Sequence, residues 1–245
     1  MMRSYRDEAI VLRTHKLGEA DRIITLLTSE HGLVRAVAKG VRRTSSKFGS
    51  RVEPFGVVDV QIAKGRSLDI ITQVEVISVH ADALASNFEL YTRASVMVET
   101  AEKLTQDSDE GARSQYLLLV GALFALSHVR HDPSLILTSY ILRALAIAGW
   151  APSCFDCAIC GAQGPHSSFS IHEGGAVCGQ CRPAGAAAPA PETMTLIGEL
   201  LSGDWARADT AEGFARNEAH ALVSSYAQWH VERRIHSLRV LERSR

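Results

Sequence analysis

Apolar and polar positions alternate with a period of two over the first part of the chain and recur every three to four residues beyond it. In Val58-Asp59-Val60-Gln61-Ile62 successive side chains fall on opposite faces of a pleat. The pattern predicts five strands, at 8–13, 22–28, 33–39, 57–63 and 67–78. Turn-forming runs such as Ser29-Glu30-His31-Gly32 and Lys64-Gly65-Arg66 separate them. Five short strands in about 80 residues suit a small closed sheet of the OB type, and an SH3-like barrel fits nearly as well.

Past residue 80 the texture is helical. Leu84, Phe88, Tyr91, Val98 and Ala101 recur at helical spacings with one turn skipped. Asp132-Pro133 supplies an N-cap with proline at the first helical position, and Gly149 closes a helix predicted at 134–148. A long terminal helix is expected over 214–241, with Leu222, Tyr226, Trp229, Arg233 and Leu238 among its periodic positions. Between them lies an island rich in Cys, Gly and Pro at 149–191, whose last part, 183–191, reads as a tether. No internal repeat is visible.

Composition leaves an ordinary globular protein. Of 245 residues 46% are hydrophobic and 22% charged, which excludes the disordered, collagen-like and disulfide-rich secreted classes. The longest apolar run, 116–126 with Gly121 inside it, is too short to span a bilayer. The opening residues, Met1 to Glu8, lack the apolar core of a signal peptide, so a cytoplasmic protein is expected. Lys+Arg (26) and Asp+Glu (27) nearly cancel, and taken whole this argues against a polyanionic partner. Divided at residue 80 the balance changes. Residues 1–80 hold 13 basic and 9 acidic side chains, net +4, and residues 81–245 hold 13 and 18, net −5.

All five cysteines, Cys154, Cys157, Cys160, Cys178 and Cys181, lie close together in sequence. Cys157-x2-Cys160 and Cys178-x2-Cys181, seventeen residues apart, have the spacing of a four-thiolate zinc site, since a two-residue gap lets one tight turn aim both sulfurs at a single ion. Cys154 with Cys157 is a competing first pair. Cys157 and Cys160 are preferred because Gly161 follows and accepts the left-handed backbone such a turn requires, leaving Cys154 as a spare thiol. His166 and His172 lie between the pairs and could replace a thiolate. Four sulfurs close the coordination shell, so one structural zinc ion is expected and not a catalytic one. The only His-x-Glu, His230-Val231-Glu232, follows both pairs, the wrong order for a zinc deaminase.

A second candidate site is electrostatic. Between residues 31 and 52 stand Arg35, Lys39, Arg42, Arg43, Lys47 and Arg51, with no acidic residue among them. Gly40, Thr44, Ser45, Ser46, Gly49 and Ser50 are interspersed, residues whose backbone can approach a phosphate chain. A basic, glycine-punctuated loop on a small barrel suits single-stranded nucleic acid. Phe48 is placed to stack on a base, whereas Phe55, after Pro54, is expected in the core. No phosphate-binding G-x-x-x-x-G-K-[ST] loop is present, so the chain is not expected to bind and hydrolyse ATP itself, and His-Glu-x-x-His and G-x-S-x-G are also absent. Asp107, Asp109 and Glu110 read as a solvated loop. Arg233, Arg234, Arg239, Arg243 and Arg245 offset the dipole of the last helix, with a second phosphate contact as the sharper reading.

Several stretches together carry a family resemblance. Ala9-Ile10-Val11-Leu12-Arg13, Leu17-Gly18-Glu19-Ala20-Asp21-Arg22-Ile23-Ile24-Thr25, Ala38-Lys39-Gly40-Val41-Arg42-Arg43 and Val52-Glu53-Pro54-Phe55 resemble the N-terminal signature of the RecO family of bacterial DNA repair proteins. Cys157-Ala-Ile-Cys160-Gly161 and Gly174-Gly175-Ala176-Val177-Cys178-Gly179-Gln180-Cys181 extend it in order. The resemblance implies an α+β multidomain fold. An OB-fold DNA-binding domain at 1–80 would precede a helical domain at 81–150 and 186–245, with an inserted zinc module at 151–185. It further implies a non-enzymatic recombination mediator that binds single- and double-stranded DNA and anneals complementary strands. With RecR such a protein promotes loading of RecA onto DNA coated by single-strand-binding protein, whose acidic C-terminal tail it also contacts. By position, Lys39, Arg42 and Arg43 fall in the family's basic segment and the four paired cysteines on its zinc positions. A zinc-dependent nucleic-acid-modifying enzyme and an adaptor that binds proteins alone are the competing readings.

Overall fold

The architecture comes from a computed structural model that describes residues 4–43, 46, 48–78, 80–106 and 110–231. Five strands, β1 (Ser4–Leu17), β2 (Asp21–Thr28), β3 (Leu33–Ala38), β4 (Val57–Ala63) and β5 (Asp69–Ser78), close into a barrel in the order β1-β2-β3-β5-β4. All neighbours are antiparallel except β3 and β5, which join in parallel through Ala36↔Asp69 and Val37↔Ile70. This is an OB-like barrel, as the strand count and the family resemblance led one to expect.

Alternation explains the interior. Ala9, Val11, Ile24, Leu26, Val34, Ala36, Ala38, Val58, Val60, Ile62, Ile71 and Val74 form one buried cluster. Each such aliphatic side chain contributes roughly 1.5–3 kcal/mol on burial, less for alanine. A bulge between Val11 and Arg13 inserts one residue into β1. β1 exceeds the predicted 8–13 at both ends. Its polar termini are held by backbone pairing, Ser4↔Ala63 on one side and Leu17↔Asp21 on the other, which apolar alternation does not register. β3 stops before Lys39 because Gly40 adopts φ +66°, and β5 starts at Asp69 because that carboxylate accepts the Gly65 N–H (3.1 Å) to close the preceding turn.

The unbroken apolar run Ala9 to Leu12 signals burial on both faces. Ile10 and Leu12 point away from the interior yet are 0% and 4% exposed. Helices α1 (Ala81–Ala85), α2 (Phe88–Thr105) and α3 (Ala112–Ser127) belong to the same compact unit, residues 1–128, and α2 and α3 pack against the barrel strands. Asn87 caps α2 by accepting the N–H groups of Glu89 and Leu90. Arg13–Glu102 (2.6 Å), Arg113–Glu30 and a Tyr116 hydroxyl donated to Glu8 tie helices to strands. Within unit 1, Phe55 is core at 3% exposure, adopting φ +72° and meeting Tyr91 edge to face at 5.3 Å.

The second unit, residues 129–245, holds α4 (Pro133–Ile147), β6 (Ser168–Ser170), β7 (Gly175–Val177), α5 (Pro191–Ser202), α6 (Trp205–Ala208) and α7 (Gly213–His230). Asp132 caps α4, accepting the N–H (2.8 Å) and hydroxyl of Ser134, and its other oxygen receives Arg216 (3.0 Å). The predicted tether is fastened: Ala187 and Phe169 exchange two backbone hydrogen bonds of 2.9 Å, and Pro191 is already the first residue of α5. Described helix in the tail ends at His230. The remainder of the expected helix, with Arg233, Arg234, Arg239, Arg243 and Arg245, lies outside the described residues. Among the described residues no helix is long and apolar enough to cross a membrane.

Candidate metal centre and nucleic-acid interface

The cysteine module is built on two knuckles. In the first, the Gly161 N–H bonds the Cys157 carbonyl (2.8 Å) and the Cys157 N–H bonds the Ala162 carbonyl (2.8 Å), with Gly161 at φ +72°. The Ala158 N–H reaches Ala176 in β7 (2.8 Å), which leads directly into the second knuckle, Cys178 to Cys181. Gly175 bridges to Ser153 with no room for a side chain, since a Cβ there would lie 2.3 Å from the Ser153 carbonyl oxygen.

The two knuckles bring Cys157, Cys160, Cys178 and Cys181 together, their sulfurs within 4.8 Å of one another. The Sγ atoms of Cys160 and Cys178 are 3.8 Å apart. A tetrahedral ion with metal–sulfur bonds of ~2.3 Å sets its sulfurs at about 3.8 Å, so the set fits a metal ion, whereas a disulfide needs about 2 Å. N–H groups of Cys160 and Cys178 pull the Cys157 thiol down to about 6, while the crowding sulfurs of Cys178 and Cys160 push Cys181 up to about 12. Packed thiols of this kind resist ionising together until a cation joins them.

Cys154 stands apart. It is buried, its thiol directed at the Pro152 carbonyl (3.5 Å) and pushed up to about 11 by burial. His166 bonds the Ala162 carbonyl and His172 packs on Trp229, and neither belongs to the sulfur cluster.

Of the six basic candidates, Arg35, Lys39, Arg42, Arg43 and Arg51 are described and exposed, and Lys47 lies outside the described residues. They sit on three supports and do not converge on one spot. Lys39, Arg42 and Arg43 occupy the loop leaving β3, which docks on the β1–β2 turn. There the Gly40 N–H donates to Asp21 Oδ1 (2.7 Å), the Arg42 N–H to the Ala20 carbonyl (2.9 Å) and the Arg42 guanidinium to the Gly18 carbonyl (3.1 Å). Arg35, on β3, lines a cavity of about 600 Å³ with His31, Lys64 and Asp69. Arg51, in a single 3-10 turn, donates to the Val74 carbonyl (3.4 Å).

Elsewhere on the barrel four cations have acidic partners, Arg6 in Asp59 and Glu75, Arg22 in Glu53, Arg13 in Glu102 and Lys64 in Asp69, whereas the exposed Lys16 and Arg66 have none among the described residues. None of the five described candidates has an acidic partner among the described residues. Asp21, an acid that the fold brings to the loop, is engaged by a backbone N–H. Lys16 is a cation the charge run did not reveal. It is exposed at the end of β1, across from Arg22 and two residues from Gly18. The hairpin signal Leu17-Gly18-Glu19-Ala20-Asp21 could have placed it beside the basic loop. Phe48 is not the free stacking ring expected from its surroundings, because it packs against the barrel core.

A family model described as "Recombination protein O N terminal" matches residues 2–80, and one described as "Recombination protein O C terminal" matches residues 85–239. The DNA repair protein RecO of Thermobifida fusca is 51% identical over 243 residues, covering 99% of this chain and 100% of the relative. That of a Nocardioides strain is 53% identical over 242 residues (98% and 99%), and that of Streptomyces coelicolor 50% over 248 (99% and 100%).

Proposed function

The chain belongs to the RecO family of DNA repair proteins, and from that premise we propose that it acts without catalysis, as a recombination mediator that binds DNA and anneals complementary strands. The observation that carries this reading is the set of exposed cations at Arg35, Lys39, Arg42, Arg43 and Arg51 with no acidic partner among the described residues, on a barrel where Arg6, Arg13, Arg22 and Lys64 are paired. Phosphates contacted by Lys39, Arg42, Arg43, Arg35 and Arg51 would release their counterions and lose the repulsion that opposes strand pairing. Contacts of this kind position DNA without reading bases, so both single- and double-stranded DNA are substrates for binding.

The four thiolates would hold one zinc ion. Their closed shell leaves no site for water or substrate, and the ion would serve to hold the two knuckles together. Family membership also supports work with RecR to load RecA onto DNA coated by single-strand-binding protein, with contact to that protein's C-terminal tail. It supports a cytoplasmic place of action, at the nucleoid during repair.

An annealing assay with complementary single strands, bare and coated with single-strand-binding protein, tests the proposal. The purified chain is expected to accelerate annealing, and Arg42→Glu with Arg43→Glu to remove most of the acceleration for all sequences alike. No acceleration by the folded chain would overturn the reading and leave a protein-binding adaptor. Turnover of the DNA itself, abolished by a chelator while the fold survives, would point instead to a zinc enzyme.

A further inference from the structure

At the end of β3 opposite the loop at 39–43, the β2–β3 turn and the β4–β5 turn border a cavity of about 600 Å³. His31 lines it, and its ring is braced from behind. The imidazole Nδ1 lies 2.6 Å from Asp7, which is 6% exposed, and Tyr5 packs against the ring at 4.2 Å with the planes 36° apart. The turn is itself pinned: the Thr28 hydroxyl donates to the Gly32 carbonyl (2.9 Å) and accepts the His31 N–H (3.0 Å). Neither Tyr5 nor Asp7 lines the cavity, so the side of the imidazole that they leave free is the side turned to the opening. A ring fixed on one side by a buried carboxylate and a phenol, and open on the other, is a stacking platform.

The charge around the platform narrows the occupant. Both acids of the lining are engaged, Asp69 by Lys64 (3.1 Å) and Glu30 by Arg113. Arg35 lines the cavity from β3, and Arg66 stands beside the lining residue Ser67; both are exposed and have no acidic partner among the described residues. The charge left over is positive, so the cavity suits an anion. A free phosphate or a carboxylate would answer the guanidinium groups and leave the braced ring unused, whereas a nucleotide answers both. The volume falls within the roughly 300–1,000 Å³ of small-molecule sites and admits one nucleotide. Arg35 also joins the cavity to the basic loop, since β3 ends three residues later, roughly 10 Å along the strand, and Lys39, Arg42 and Arg43 follow. A base inside a duplex has both faces covered by its neighbours, so only an unpaired base can use the platform.

We propose that this cavity takes one unpaired nucleotide of a bound DNA strand, its base stacked on His31 and its phosphate held by Arg35 and Arg66. This rests on the DNA-binding reading above and deepens it, adding a preference for single strands to contacts that hold the phosphates of either form. Phe48, packed against the barrel core, does not supply such a contact.

Anisotropy titrations of the full chain with oligo-dT, an abasic oligomer of equal length and a duplex test it. The unmodified chain is expected to bind oligo-dT at least about 5-fold more tightly than the abasic oligomer. His31→Leu should weaken oligo-dT binding roughly 5- to 100-fold and leave the abasic oligomer and the duplex unaffected, and His31→Phe should keep most of the affinity. Both substitutions remove the bond to Asp7, so the difference between them reports the ring alone. The comparison of oligomers on the unmodified chain holds whether or not the variants fold. Equal affinity of that chain for oligo-dT and the abasic oligomer, or equal affinity of His31→Leu and His31→Phe for oligo-dT, would overturn this inference and leave the DNA-binding reading standing. Failure of all three DNAs to bind would overturn both.

Discussion

The cysteine module and the basic loop hold charge in opposite ways. The module crowds four sulfurs within 4.8 Å of one another, a set that becomes fully ionised when a cation sits among them. The loop exposes cations whose acidic neighbours are engaged elsewhere, Asp21 on the Gly40 N–H and Glu53 on Arg22. The first arrangement is closed, and on the proposed reading binding an ion there would yield stability. The second is open, and on the same reading binding a polyanion would yield function. The difference teaches that clustered charge is not evidence of chemistry by itself: what matters is whether the fold has already satisfied it.

If that contrast is right, disturbing one region leaves the property of the other intact. The largest effect is expected from the module. Cys157→Ser, or a strong chelator, should remove about one equivalent of zinc by metal analysis and unfold residues 153–182 to hydrogen exchange, since binding energies of structural zinc are on the order of 10 kcal/mol. DNA affinity of the barrel should change little. Loss of DNA binding with the module still protected would break the comparison.

Asp132 sharpens it within the second unit. Burial works against its ionised form, but hydrogen bonds from Ser134 and the Arg216 guanidinium prevail and hold the carboxyl below the usual range. Asp132→Ala removes the α4 cap and is expected to cost about 1–2 kcal/mol in denaturant unfolding, with zinc content unaltered.

The smallest effect is a pH dependence in the first unit. His80 is 4% exposed between Ser78 and Ser127, and burial, with His128 nearby, lowers its pKa from 6.5. Below 6.5 the unfolded chain therefore binds more protons than the folded one. Stability is full above that value and falls as pH drops from 6.5 through the folded pKa, by at most about 1.4 kcal/mol per pH unit for one group. Melting of the barrel unit between pH 7 and 5 should show this slope, and His80→Gln should flatten it.

Much of this was legible in the sequence, to different depths. The bounds of β4 follow from strict alternation, and the grouping of Cys157, Cys160, Cys178 and Cys181 from spacing and one glycine, because both are short-range signals. β1 was read short because its ends are mostly polar and held by backbone pairing, to β2 at one end and to β4, more than 50 residues away in sequence, at the other. That Phe48 turns into the core, that the loop at 39–43 docks on the turn at 18–21, and that α2 and α3 cover the barrel are long-range facts with no local signature.

The salt dependence of single-stranded DNA binding tests the central claim most directly. If all six cations of 31–52 meet phosphates, log K should fall against log salt with a slope of roughly −4, and Arg42→Gln with Arg43→Gln should bring it to roughly −3. A slope near zero, or one that the double substitution leaves unchanged, would contradict the assignment of this loop as the place where the protein holds DNA.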